Sequence, residues 1–339
     1  MALTRRELLL ALPALSAGFQ CTPRTGTRSA AAYAEIATAG AGSRGTVLVC
    51  MPDTRQTREV WTGLCDELAS GFRLVAVKVD GRSGSENIGR AIARHRPSVL
   101  VMMNNPTVAA YAAYQRSIGE RPCPPAVIVM TSFLDGRPVR VRAATGISYE
   151  VPLISVVTNL RKVFAAPVER VGVVRREPLR RFVARQAALA GREQIRVLEQ
   201  PVSPNPNPSE VKRAIRLLKQ RCDALWILND DRLLSERLIA EGWLPGIDER
   251  PWVPTLVGAA SLVSSARSFG TFAVLPDHTA LGVQAANLVY EIASAGFRLP
   301  EDGEVELPLS TTTIVDLSQA RERFRLKPGA LGQVDHVVE

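Results

Sequence analysis

Aromatic residues are scarce, at 5% of the chain. The cores must therefore be built from Val, Leu, Ile and Ala, a set that suits parallel sheets buried under helices. Cysteine is sparse too: Cys21, Cys50, Cys65, Cys123 and Cys222 are spread over 339 residues. That excludes a disulfide-dense scaffold, and the sequence alone pairs none of them. None forms a C-x-x-C pair or a zinc-like spacing with His95, His278 and His336, so no metal site is expected. Catalytic signatures are missing as well. There is no G-x-S-x-G elbow, no H-E-x-x-H and no Walker G-x-x-x-x-G-K-[ST], and neither an enzyme nor a cofactor is expected. The net charge is +9, yet no dense Lys/Arg run carries interleaved aromatics. A solvated basic surface accounts for the charge without a nucleic-acid partner.

What is present begins with an address. Arg5 and Arg6 precede an apolar stretch of signal-peptide length. It falls short of the about 20 apolar residues that span a bilayer. The run Thr4-Arg5-Arg6-Glu7-Leu8-Leu9 resembles a twin-arginine export signal. Residues 1–30 are read as an export and processing region, and 31–45 as a linker rich in small residues. Cys21 stands where a lipid-bearing cysteine would, although Gly18-Phe19-Gln20 departs from the small-residue pattern such processing prefers. Residues 40–45 spell G-x-G-x-x-G. A dinucleotide fingerprint needs those glycines between a strand and a helix, and here they precede the first expected strand.

From residue 46 the pattern alternates. Strands are expected near 46–51, 73–79, 98–103, 126–130, 170–174, 194–199, 224–228, 253–258 and 271–275. Helices are expected near 56–70, 85–95, 107–119, 151–164, 178–191, 209–221 and 232–241. The length holds two core-forming units. The fold class is α/β, with two doubly wound, Rossmann-like lobes in tandem. Ligands of open parallel sheets sit outside the carboxyl ends of the strands. The candidates there are Met51, Asp53, Asn104, Asn105, Thr131, Ser132, Arg175, Asn229, Asp230, Gly258 and Asp277. Arg175 and Arg176 would suit a carboxylate or another anion. Trp226 reads as core, and Trp243 and Trp252 flank a Gly/Pro-containing loop, with a cleft edge as the lesser alternative. His278 beside Asp277 reads as a helix start with an Asp cap.

Three stretches carry a resemblance. One is Ala144-Thr145-Gly146-Ile147-Ser148. The second is Leu275-Pro276-Asp277 followed by Leu281-Gly282, Ala285-Ala286 and Gly296. The third is Ile314-Val315-Asp316-Leu317-Ser318-Gln319-Ala320, then Leu326-Lys327-Pro328 and the tail from Val334 to Glu339. Over about residues 46–339 the chain resembles the substrate-binding components of ABC importers related to tryptophan- and tyrosine-binding proteins. It departs at Met51-Pro52-Asp53-Thr54, where that family has a His-Pro-containing segment, and at Asp316, where Asn is usual. The resemblance implies the type I periplasmic-binding fold, with three crossings between lobes. The first lobe would combine 46–150 with 271–297, and the second 151–270 with 298–339. It also implies a periplasmic, monomeric protein that closes on a small molecule, an amino acid or related carboxylate, and docks on an ABC permease in the inner membrane. A ligand-binding module for a membrane sensor and an α/β enzyme acting on a small molecule are the alternatives.

Overall fold

Four runs in the first half are apolar on both faces, and each becomes a strand covered on both sides: β2 (Thr46–Met51), β3 (Arg73–Lys78), β4 (Val99–Met103) and β5 (Ala126–Thr131). The structure, a computed structural model, describes residues 34–79, 84–134, 141–263, 269–299 and 304–339. The stretch expected to act as an export signal, with its twin-arginine-like run, and Cys21 lie outside these residues. Period-two alternation sends Val47, Val49 and Met51 to one face of the sheet and Leu48 and Cys50 to the other. The first face packs on α1 (Arg55–Leu68) and α9 (His278–Ser294), the second on α2 (Gly84–His95) and α3 (Asn105–Ser117). β1 (Ala34–Ala39), β6 (Ala144–Ser148) and β12 (Val305–Glu306) complete a seven-stranded sheet in the order β1-β3-β2-β4-β5-β6-β12. It is parallel except for the β1–β3 pair.

The second sheet also has seven strands, in the order β14-β13-β11-β10-β9-β7-β8. They are β7 (Arg170–Arg175), β8 (Arg196–Pro201), β9 (Ala224–Ile227), β10 (Thr255–Val257), β11 (Phe272–Pro276), β13 (Thr311–Asp316) and β14 (His336–Val338). Only the β11–β13 pair is antiparallel. Helices α4 (Leu153–Val163) and α5 (Arg180–Ala190) cover one face. Helix α6 (Pro208–Lys219) and a helical stretch from α7 (Glu236–Leu238) through a π-turn (Ile239–Trp243) into α8 (Leu244–Asp248) cover the other. The short α10 (Leu317–Arg323) follows β13, and buried Asp316 caps it by accepting the Gln319 N–H at 2.9 Å. An Asn at that position would cap equally well.

The chain thus forms two α/β lobes and crosses between them after β6, after β11 and after β12. Three expectations change. Residues 34–39 are a strand, not linker: Ala-Glu-Ile-Ala-Thr-Ala pairs with the edge of β3, where small side chains suffice. Residues 272–276 belong to the second sheet rather than the first lobe, because β11 finds its partners in β10 and β13, and the crossing back comes only at α9. Residues 305–306 return to the first sheet beside β6. The glycines at 40–45 make the turn between β1 and β2. A Cβ on Gly40, at φ +74°, would lie 2.1 Å from the Phe72 carbonyl oxygen. They serve close backbone packing, with no helix behind them to receive a phosphate.

Glu249, just past α8, ties that helix to α6. Its carboxylate accepts from Arg216 Nε at 2.5 Å and Nη2 at 2.6 Å and pairs with Lys212 at 2.9 Å. The hydrogen bonds from Arg216 and then Lys212 hold its carboxyl down at about 2, from an ordinary 4.5. A carboxyl lowered by folding contributes stability that is complete above about pH 4.5 and disappears as the pH falls towards 2. The urea midpoint of Glu249→Gln should therefore lie below that of the unaltered chain at pH 6, and the gap should close as the pH falls to about 2 and below. A gap of constant size across that range would refute the pairing.

Candidate ligand-binding site

The carboxyl ends of the first sheet are mostly spoken for by local bonds. Met51 is 1% exposed and packs in the core under α1 and α9, so it offers nothing to a ligand. Asp53 accepts from Arg58 Nε at 2.7 Å, and that hydrogen bond holds its carboxyl below the usual range. Asn104 caps α3 by accepting the Thr107 N–H at 3.0 Å. Asn105 Oδ1 accepts the Ser132 N–H at 3.0 Å, tying the start of α3 to the end of β5. Thr131 is wholly buried, and its hydroxyl donates to the Val129 carbonyl at 3.3 Å.

At the second sheet the two arginines expected to meet an anion are both committed. Buried Arg175 is bonded through Nε to Glu199 and through Nη1 to Glu177 at 3.2 Å. Arg176 holds Asp230 with two parallel bonds, Nε to Oδ2 at 2.8 Å and Nη2 to Oδ1 at 2.7 Å. Asp230, 3% exposed, also accepts the Arg232 N–H at 3.1 Å. These charges fasten the ends of β7 and β9 together. Trp243 is core, donating its indole N–H to the Leu233 carbonyl at 2.8 Å. Trp252 lies under the guanidinium groups of Arg250 and Arg323, at 4.4 and 5.3 Å from its ring centre. Neither tryptophan lines the two interlobe cavities described next.

Asn229 and Gly258, at the ends of β9 and β10, do come together. Asn229 Nδ2 donates to the Gly258 carbonyl at 3.4 Å. They line a narrow cavity of about 20 Å³ with Trp226, Val156 and Val274 of the second lobe and with Phe133 and Glu150 from the first. Phe133 crosses the gap between lobes. Its φ is +55°, its N–H donates to Glu150 Oε2 at 2.8 Å, and its ring meets Phe182 edge-on at 4.9 Å. Sequence reasoning missed Phe133 and Glu150. Phe133 directly follows the candidate pair Thr131-Ser132, and Glu150 stands at the expected first crossing; those positions were the only signal.

Asp277 caps α9, accepting the Ala280 N–H at 3.0 Å. It lines a second cavity, of about 400 Å³, between Arg55, Gln56 and Glu59 at the start of α1 and Thr312, Ile314 and His336 of the second lobe. His278 is more than a helix start. Its Nδ1 lies 3.0 Å from Glu59 Oε2 and its Nε2 lies 3.0 Å from the Tyr149 hydroxyl. Burial, then the charges of Glu150 and Glu59, push the Tyr149 hydroxyl far above its ordinary range, so it stays protonated. The Glu59–His278–Tyr149 chain therefore joins two of the crossings to α1. A larger cavity of about 580 Å³, lined by residues such as Arg161, Pro167 and Lys327, lies at the start of β7, the end of the sheet away from the candidate site.

No family model and no curated protein matches the chain. Solved structures do. A substrate-binding protein with adhesive properties from Clostridium difficile, in its ligand-free, open form, superposes with a TM-score of 0.60 at 14% identity, covering 86% of this chain and 98% of that one. An ABC domain from Streptococcus pneumonia in complex with L-Trp gives 0.55 at 15% identity, covering 86% and 100%. A conserved domain protein from Vibrio cholerae gives 0.54 at 18%, covering 86% and 98%. The chain has the type I periplasmic-binding fold. In that fold, as in open parallel sheets generally, the strand ends of both lobes border the ligand cleft. Both interlobe cavities lie there.

Proposed function

We propose that this protein is the exported solute-binding component of an ABC importer, and that it is not an enzyme. The observation that carries the reading is the narrow cavity, closed on one side by Phe133 and Glu150 and on the other by Trp226, Asn229 and Gly258. A solute held by both sides at once favours the closed arrangement over the open one by its differential affinity. Three crossings give the hinge on which the lobes close. The permease then reads the closed shape of a monomer on the periplasmic side of the inner membrane. The Glu59–His278–Tyr149 chain is the group closest to a catalytic relay. Its bonds tie two of the crossings to α1, and we read it as a structural tie.

The test is a thermal-shift screen against amines, amino acids, nucleobases, sugars and small carboxylates, with each ligand recovered and weighed by mass spectrometry. A ligand at a thousandfold excess over its Kd should stabilise the fold by about 4 kcal/mol. A clear shift with one chemical class, and the ligand returned unchanged, is the expected result. Turnover of the ligand would replace this reading with the enzyme alternative.

A further inference from the structure

The amide oxygen of Asn229 is buried and has no hydrogen-bond partner. Its orientation is fixed by Asn229 Nδ2, which faces the Gly258 carbonyl. Turning the amide over would set two carbonyl oxygens against each other. The oxygen is therefore the end left over beside the cavity that Asn229 lines. A buried acceptor with no donor is costly, and native structures rarely keep one without a reason. Its polar neighbours in the cavity are acceptors too: the Glu150 carboxylate, 8% exposed, and the Gly258 carbonyl. The walls are the aromatic and aliphatic side chains of Phe133, Trp226 and Val274. The cations that would have drawn a carboxylate, Arg175 and Arg176, are held by Glu199, Glu177 and Asp230.

We propose that this end of the cleft receives the ammonium head of the ligand, so that the solute is a primary amine carried on an apolar or aromatic body. The inference rests on the solute-binding reading. An ammonium supplies an N–H donor to Asn229 Oδ1, and its charge suits a pocket lined by a carboxylate. Its size also fits, since a cavity of about 20 Å³ admits roughly one water-sized group. Phe133 and Trp226 also line the cavity, and aromatic rings attract cations.

The experiment titrates the full chain with matched probes: phenethylamine against 3-phenylpropionate, and butylamine against pentanoate, followed by calorimetry and thermal shift. A panel of sugars and nucleobases runs beside them. The amines are expected to bind about tenfold or more tighter than the carboxylates. Asn229→Leu should weaken the amines by about tenfold while the unliganded melting temperature holds or rises, because a buried orphan acceptor has been removed. Asn229→Asp, which adds a charge, should tighten them, and the gain should shrink in high salt. If carboxylates, sugars or nucleobases bind and amines do not, the ammonium site is overturned and the solute-binding reading stands. If no probe binds, both fall. If amines bind equally well to Asn229→Leu, they bind elsewhere and the assignment is wrong.

Discussion

Gly282→Ala should destabilise the fold by about 3 kcal/mol or more, through overpacking that has no flexible neighbour to absorb it. A Cβ at Gly282 would lie 2.2 Å from the Val60 carbonyl oxygen, 2.9 Å from the Leu64 nitrogen and 3.0 Å from the Gly63 Cα. The arrangement is reciprocal: a Cβ at Gly63 would lie 2.1 Å from the Thr279 carbonyl oxygen. All of these are backbone atoms of two helices. Relief requires α1 and α9 to move apart, and that opens the core shared by Val60, Leu64, Leu281 and Ala285. Gly332→Ala is the control, because nothing lies within 4 Å of the added carbon, and its effect should stay within about 0.5 kcal/mol. Urea unfolding of both variants decides the matter. If Gly282→Ala matches Gly332→Ala, the helices are not in backbone contact.

The second large effect is expected at Asp230. Its carboxylate is 3% exposed and is held by both forks of Arg176. Asp230→Ala strands a guanidinium whose side chain is only 14% exposed. Breaking a buried pair from one side costs about 3–5 kcal/mol. The double variant Arg176→Leu with Asp230→Leu should recover most of that loss, since two apolar side chains leave no uncompensated charge. A double-mutant cycle measures the difference as a coupling energy. Additive losses would mean that the two groups act separately and that the end of β9 is held by something else.

The alternation of strands and helices was legible because parallel strands buried on both faces leave unbroken apolar runs, as in Thr46–Met51 and Val99–Met103. The same property hid the sheet membership of Phe272–Pro276: a run that is apolar throughout fits the middle of either sheet. Ala144–Ser148 went unread as a strand because Ala144 and Gly146 are poor strand formers and leave only Thr145 and Ile147 to signal one. Asn229 and Gly258, picked by the rule that ligands gather at strand ends, line the narrow interlobe cavity. Arg175 and Arg176, read as suited to an anion or simply solvated, are instead paired with carboxylates of the chain itself. Their carboxylate partners Glu199 and Asp230 stand 24 and 54 residues further on, where no local pattern connects them. Phe133 and Glu150 escaped for a related reason: Phe133 meets Phe182 of the other lobe, and Glu150 accepts the Phe133 N–H from 17 residues away.

The pairing of α1 with α9 also has a history in time. Glu59 and His278 are 219 residues apart, so at about 5–20 residues per second a ribosome makes α9 some 10–40 seconds after α1. Throughout that interval Val60, Leu64 and the face of β2 beneath them lack their final cover. The second lobe's sheet likewise waits for β13 and for the edge strand β14. Each lobe is completed only after the chain has passed through the other, so both finish folding late.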